Sequence, residues 1–179
     1  RSDVCSSDLR ARASFASMRA HLVSRLRTPG WLNLACLILS ATAAPLAGHL
    51  GLTPKVEPDL REVCLGQWDA GLYRLKAAAG DPIFRRSIDN QEWGEIPGAE
   101  TTAALQTRVR NGLMRIAAAH LDQLVAVVVH GGVIAAAMSL ATGAAPFAFL
   151  QAENGSISRL VMDRDKMQAR GFNDVSHLD

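Results

Sequence analysis

The chain of 179 residues is short of several things, and each shortage removes a class of function. It has three cysteines, Cys5, Cys36 and Cys64, an odd number with no pair at metal-ligand or redox spacing. That pattern predicts reduced thiols in a cytoplasmic protein without a zinc site. The five histidines, His21, His49, His120, His130 and His177, are dispersed, and none belongs to an H-E-x-x-H pair. Aromatic residues make up only 5% of the chain, with a single tyrosine, and the net charge is +2. Scattered basic residues and few stacking rings argue against nucleic acid as a partner.

A membrane partner is also disfavoured. "RLRTPGWLNLACLILSATAAPLAG" has the basic-then-apolar order of a secretory signal. Yet it starts well inside the chain, and Asn33, Pro45 and His49 interrupt any span. The simpler reading is a buried strand, "LACLILS", followed by a helix, "ATAAPLAGHLGL".

What is present is a globular composition, 49% hydrophobic and 20% charged, at the size of one domain. Residues 1–31 stand apart: they are rich in Arg and Ser, and "RSDVCSSDL" resembles translated sequencing-adapter sequence. We therefore take 1–31 as an atypical segment of non-native or frameshifted character and 32–179 as the folded domain. Two helical segments are expected over Leu72–Ala79 and Pro82–Asn90. A Pro-Gly turn then opens a long amphipathic helix that presents Leu105, Val109, Leu113, Ile116 and Leu121 on one face. "QLVAVVV" reads as a strand buried on both faces, "GVIAAAMSLATG" as a helix with a glycine stop. The tail predicts two edge strands joined near Asp163–Lys166. Strands alternating with helices predict an α/β sandwich with a mainly parallel central sheet.

Two residues stand where chemistry is expected. His130 ends a strand and Gly131-Gly132 begins a helix, a place where free N–H groups favour an anion. A structural histidine in a tight turn fits the spacing as well. Glu62, in "DLREVCLGQWDAG", lies between apolar neighbours whose desolvation suits a general acid. An ordinary surface glutamate is the plainer reading.

The ordered blocks "LREVCLGQWDAG", "W..IPGAET...LQTRV", "VVVHGGVIAAAMSLATG", "ENGSISRL" and "FNDVSHL" are together more specific than any one of them. Over roughly Thr42 to Leu178 the chain resembles the histidine phosphatase superfamily, the phosphoglycerate mutase-like group, and in particular its bacterial broad-specificity phosphatases. The resemblance implies a three-layer α/β/α sandwich and hydrolysis of small phosphorylated metabolites through a phosphohistidine. It implies no metal and no cofactor, because cationic side chains stabilise the transferring phosphoryl group. By matching position, Glu62 resembles the proton donor and His130 the second phosphate-binding histidine. Gly131 would offer its N–H to the phosphoryl group, and Asn154 and Ser156 would border the pocket. Specificity would come from loops around Asp69–Glu95, where Arg85 and Arg86 read as a solvated helix face. An exposed sheet edge would allow a homodimer.

One part of the family pattern is missing. No Arg-His-Gly occurs in the chain; His21 sits in "MRAHLVS", without the glycine turn. "LILSATAAPLA" also lacks the arginine that family members carry there. The resemblance therefore implies an impaired phosphatase or a non-catalytic binder of a phosphorylated ligand, with a mutase-like phosphotransferase as a further reading.

Overall fold

The computed structural model describes residues 32–34 and 37–178. The expectations for residues 1–31, Cys5, His21 and Cys36 lie outside the described residues. In chain order the elements are β1 (Leu32–Leu34), α1 (Leu37–Leu50), α2 (Leu72–Ala78), α3 (Pro82–Asn90), α4 (Thr102–Ala119), β2 (Ala126–Val128), α5 (Gly131–Thr142), β3 (Ile157–Asp163) and β4 (Lys166–Asp174). This is a mixed α/β fold.

The first apolar run is a correction. We expected a strand over residues 34–40, but the strand stops at Leu34 and a helix starts at Leu37. A uniformly apolar run carries no period to separate strand from buried helix, and here the length of the Ala-rich stretch decides. Pro45 is accommodated inside that helix. β1 pairs in parallel with β2, with Leu32 opposite Ala126 and Leu34 opposite Val128. Leu39, Ala43, Leu46 and Ala47, spaced to share one helix face, bury against Ala126 and Val128. The β2 strand is shorter than "QLVAVVV" and half-buried, not enclosed on both faces.

The larger core joins Leu60, Val63, Trp68, Trp93, Ile96, Leu105, Val109, Val133, Ala136 and Ala137. Helix α4 supplies the middle of it. Thr101 caps the helix, its Oγ1 accepting from the Ala104 N–H at 3.2 Å. Leu105 and Val109 are buried, with Leu113 and Ile116 packed alongside. Leu121, expected on the same face, lies past the helix end and is 75% exposed. Helix α5 ends at Gly143, whose φ of +70° suits a glycine stop.

The tail forms the expected hairpin, β3 antiparallel to β4 with Asp163 opposite Lys166. Among the described residues the strands make two separate two-stranded sheets, one parallel and one antiparallel. The mainly parallel central sheet is therefore not assembled from these strands, because only β1 and β2 pair in that sense.

Candidate active site

Glu62 reaches the site from a stretch without a long element of its own. Short 3₁₀ turns at Pro58–Leu60 and Gly66–Trp68 flank it. Leu60, Val63 and Trp68 turn inward to the core, which leaves the half-buried Glu62 between two anchored apolar residues. Its carboxylate accepts from the N–H of Val63 at 2.8 Å. The other oxygen lies 3.5 Å from the N–H of Gly132, seventy residues away in sequence.

Gly132 belongs to the first turn of α5, which directly follows His130. His130 is extended and caps the helix with its backbone, its carbonyl accepting from the Ile134 N–H at 3.1 Å. Its imidazole makes no cap bond and no other hydrogen bond among the described residues. Gly131 is open: a Cβ there would meet nothing within 4 Å. Gly132 is the reverse, since a Cβ would sit 2.5 Å from Glu62 Oε1. A helix N-terminus attracts negative charge, and here Glu62 supplies the carboxylate next to it.

The loop that carries Glu62 is stitched to the Pro-Gly turn. The N–H of Gln67 donates to the Pro97 carbonyl at 3.0 Å, and the N–H of Glu100 to the Cys64 carbonyl at 3.0 Å. Glu100 Oε1 accepts in return from the Cys64 N–H at 2.8 Å. Glu100 pairs with Arg108 at 2.5 Å. Burial pushes the Glu100 carboxyl up, but the hydrogen bonds from Arg108 and Cys64 outweigh it and hold the group below its ordinary range.

Asn154 and Ser156 stand on the turn before β3. Asn154 is exposed, and the Ser156 hydroxyl is buried without a hydrogen-bond partner. No hydrogen bond joins either residue to Glu62 or His130 among the described residues. The β3–β4 hairpin that follows them packs on α5. Arg86 pairs with Glu95 at 3.4 Å and is well exposed, as expected for a solvated face. Among the described residues no group of His, Cys, Asp and Glu gathers as a metal-ligand set, and no helix is long and apolar enough to cross a membrane.

A sequence model of the Histidine phosphatase superfamily (branch 1) matches residues 40–175, which contain all of these side chains. The chain belongs to the histidine phosphatase superfamily. Among curated members, Phosphoglycerate mutase-like protein 4 of Arabidopsis thaliana is 32% identical over 143 residues, covering 77% of this chain. The chain spans only 61% of that relative's length. Among solved structures, the phosphoglycerate mutase of Bacillus anthracis superposes with a TM-score of 0.75, at 17% identity, over 99% of this chain and 84% of that one. A mycobacterial glucosyl-3-phosphoglycerate phosphatase superposes with a TM-score of 0.71, at 22% identity, over 90% and 84%. Identities this low speak for the fold alone.

In this member of the superfamily, Glu62, His130, Gly131 and Gly132 meet at one end of α5. The residue that sequence reasoning passed over is Arg108. A signal for it exists in the helix pattern. Leu105, Arg108, Val109 and Gly112 share one buried face of α4, and an arginine buried to 9% exposure needs partners.

Proposed function

We propose that the start of α5 binds the phosphoryl group of a small phosphorylated metabolite, and that the underlying reaction is phosphomonoester hydrolysis through a phosphohistidine. The observation that carries this reading is the approach of the Glu62 carboxylate to the Gly132 N–H, two residues from an unpartnered His130 imidazole. In this reading His130 and the Gly131 N–H bind phosphoryl oxygens. Glu62 gives its proton to the leaving oxygen, and Asn154 and Ser156 line the approach.

We further propose that the chain as written turns phosphomonoesters over poorly. It lacks the Arg-His-Gly motif whose histidine attacks the phosphorus in this superfamily. Loss of a covalent nucleophile lowers turnover by on the order of a millionfold, while groups that only bind remain. A non-catalytic binder of phosphorylated ligands is thus the second reading, and the missing motif favours it. The mutase-like name of the Arabidopsis relative supports a third, phosphotransfer. Mutases work beneath longer covering segments than residues 69–95 offer, which is why hydrolysis is placed first. A cytoplasmic location, a three-layer α/β/α domain and a homodimer through the sheet edge complete the proposal.

Inorganic phosphate titrated into the full chain by calorimetry, beside p-nitrophenyl phosphate turnover, tests it. Saturable phosphate binding that disappears in His130→Ala, with background turnover, is the expected result. Absence of phosphate binding refutes the site. Ready turnover that is lost in His130→Ala refutes the impairment.

A further inference from the structure

A proton donor must be held to a fraction of an ångström, yet Glu62 sits on a loop. What holds that loop comes from one face of α4. Arg108, Gly112 and Arg115 are spaced four and three residues apart, so they stack on a single side of the helix. All five N–H donors of the Arg108 guanidinium are used. Nε donates to Glu100 Oε2 at 2.9 Å. Nη1 donates to the carbonyls of Asp59 at 2.9 Å and Arg61 at 2.7 Å. Nη2 donates to the carbonyl of Glu62 at 3.1 Å and to Glu100 Oε1 at 2.5 Å. The backbone of Glu62 and of its neighbours therefore ends on one side chain.

Gly112 and Arg115 complete the grip. A Cβ on Gly112 would lie 3.1 Å from Leu60 Cδ2 and 3.3 Å from Asp59 Cβ, so a bare backbone is what lets the loop seat. Arg115 donates to Glu57 Oε1 at 2.7 Å and also to Asp59 Oδ2.

We infer that Arg108 is a positioning residue. It sets the backbone of residues 59–62 so that the Glu62 carboxylate meets the Gly132 N–H, and Gly112 and Arg115 fix the height and entry of the same loop. This deepens the function proposed above and rests on its assignment of Glu62 and His130 to one site. An ion pair serving stability alone would need Glu100 and no carbonyls. The three carbonyl bonds instead aim the guanidinium at the strip of chain that carries Glu62. Lysine, with three donors and no planar fork, cannot reproduce them.

The test is a pH titration of the full chain followed by ¹⁵N–¹H spectra. In the wild type the Gly132 cross-peak is expected to move between acid and neutral spectra, and Glu62→Gln should abolish that movement. In Arg108→Lys the movement should fall by about half or more, because a hydrogen bond weakens steeply as its geometry opens. The cross-peaks of Trp93 and Ile96, deep in the core, should stay in place. Gly112→Ala, which keeps every polar group and lifts the loop, should act the same way and carries the test if Arg108→Lys does not fold. Wild-type movement at Gly132 in the folded variants overturns the inference. So does an equal disturbance of Trp93 and Ile96, which would mark a purely structural role. Because this readout needs no ligand, a chain that shows the coupling but binds no inorganic phosphate would refute the functional reading and leave the positioning role standing.

Discussion

Adding one methyl group at Gly132, and separately at Gly131, probes the contact on which the site rests. At Gly131 a Cβ would meet nothing within 4 Å. At Gly132 it would lie 2.5 Å from Glu62 Oε1, 3.4 Å from Glu62 Cδ and 3.2 Å from Val63 Cγ1. Alanine is favoured over glycine inside a helix by about 0.5–1 kcal/mol, an upper limit here because both positions lie in the first turn. Gly131→Ala should therefore be neutral or stabilising by up to ~1 kcal/mol. At Gly132 that gain is opposed by overpacking, which costs about 1–3 kcal/mol. The Glu62 carboxylate can swing aside, but the buried Val63 cannot move without disturbing the core. Gly132→Ala is thus expected to destabilise by roughly 0.5–2 kcal/mol, once the helix gain is set against the overpacking. Urea unfolding of both variants, followed by circular dichroism, measures the difference directly. If the two variants shift stability in the same direction by the same amount, Glu62 and Val63 do not stand against Gly132, and the account of the site fails.

Three other outcomes follow from the same packing. Gly66→Ala would set a Cβ 2.3 Å from the Gly98 carbonyl carbon at a φ of +55°, so a loss of about 3 kcal/mol or more is expected in urea unfolding. Ser87 is fully buried with an unpartnered hydroxyl, so Ser87→Ala should be neutral or stabilise by ~1 kcal/mol. A loss of about 2 kcal/mol would contradict that. Bonds from the Ser176 hydroxyl and N–H, with Arg159 beside them, hold the Asp174 carboxyl down to about 2 from an ordinary 3.8. Its folded value lies below its unfolded one, so this support is complete above the ordinary value and fades as pH falls towards about 2. Urea midpoints across that acid range should fall less steeply in Asp174→Asn than in the wild type.

Local pattern carried much of the architecture because each feature needed only near neighbours. The hairpin around Asp163–Lys166, the capped amphipathic helix through Leu105 and Val109, and the glycine stop at Gly143 follow from period and turn chemistry. The same reasoning failed at residues 34–40, where an unbroken apolar run has no period to read. It also failed at Leu121, where the heptad-like spacing continued beyond the last turn of the helix. The parallel sheet was legible only in part, as the pairing of β1 with β2 among the described residues, because a β-branched run announces a strand but not its partner.

What the sequence by itself determined is that His-Gly-Gly separates a strand from a helix; the helix starts at Gly131 as expected, but the strand ends at Val128, two residues before His130, which was expected to be its last residue. The tertiary structure alone decided that Glu62, seventy residues earlier, would set its carboxylate against that turn. It also decided that Arg108 would hold the loop in place. The helix pattern marks Arg108 as buried but names none of its partners, and the Glu62 contact has no local signature, because the donors and acceptors come from segments that meet only when the core closes around Leu60, Val63 and Val109.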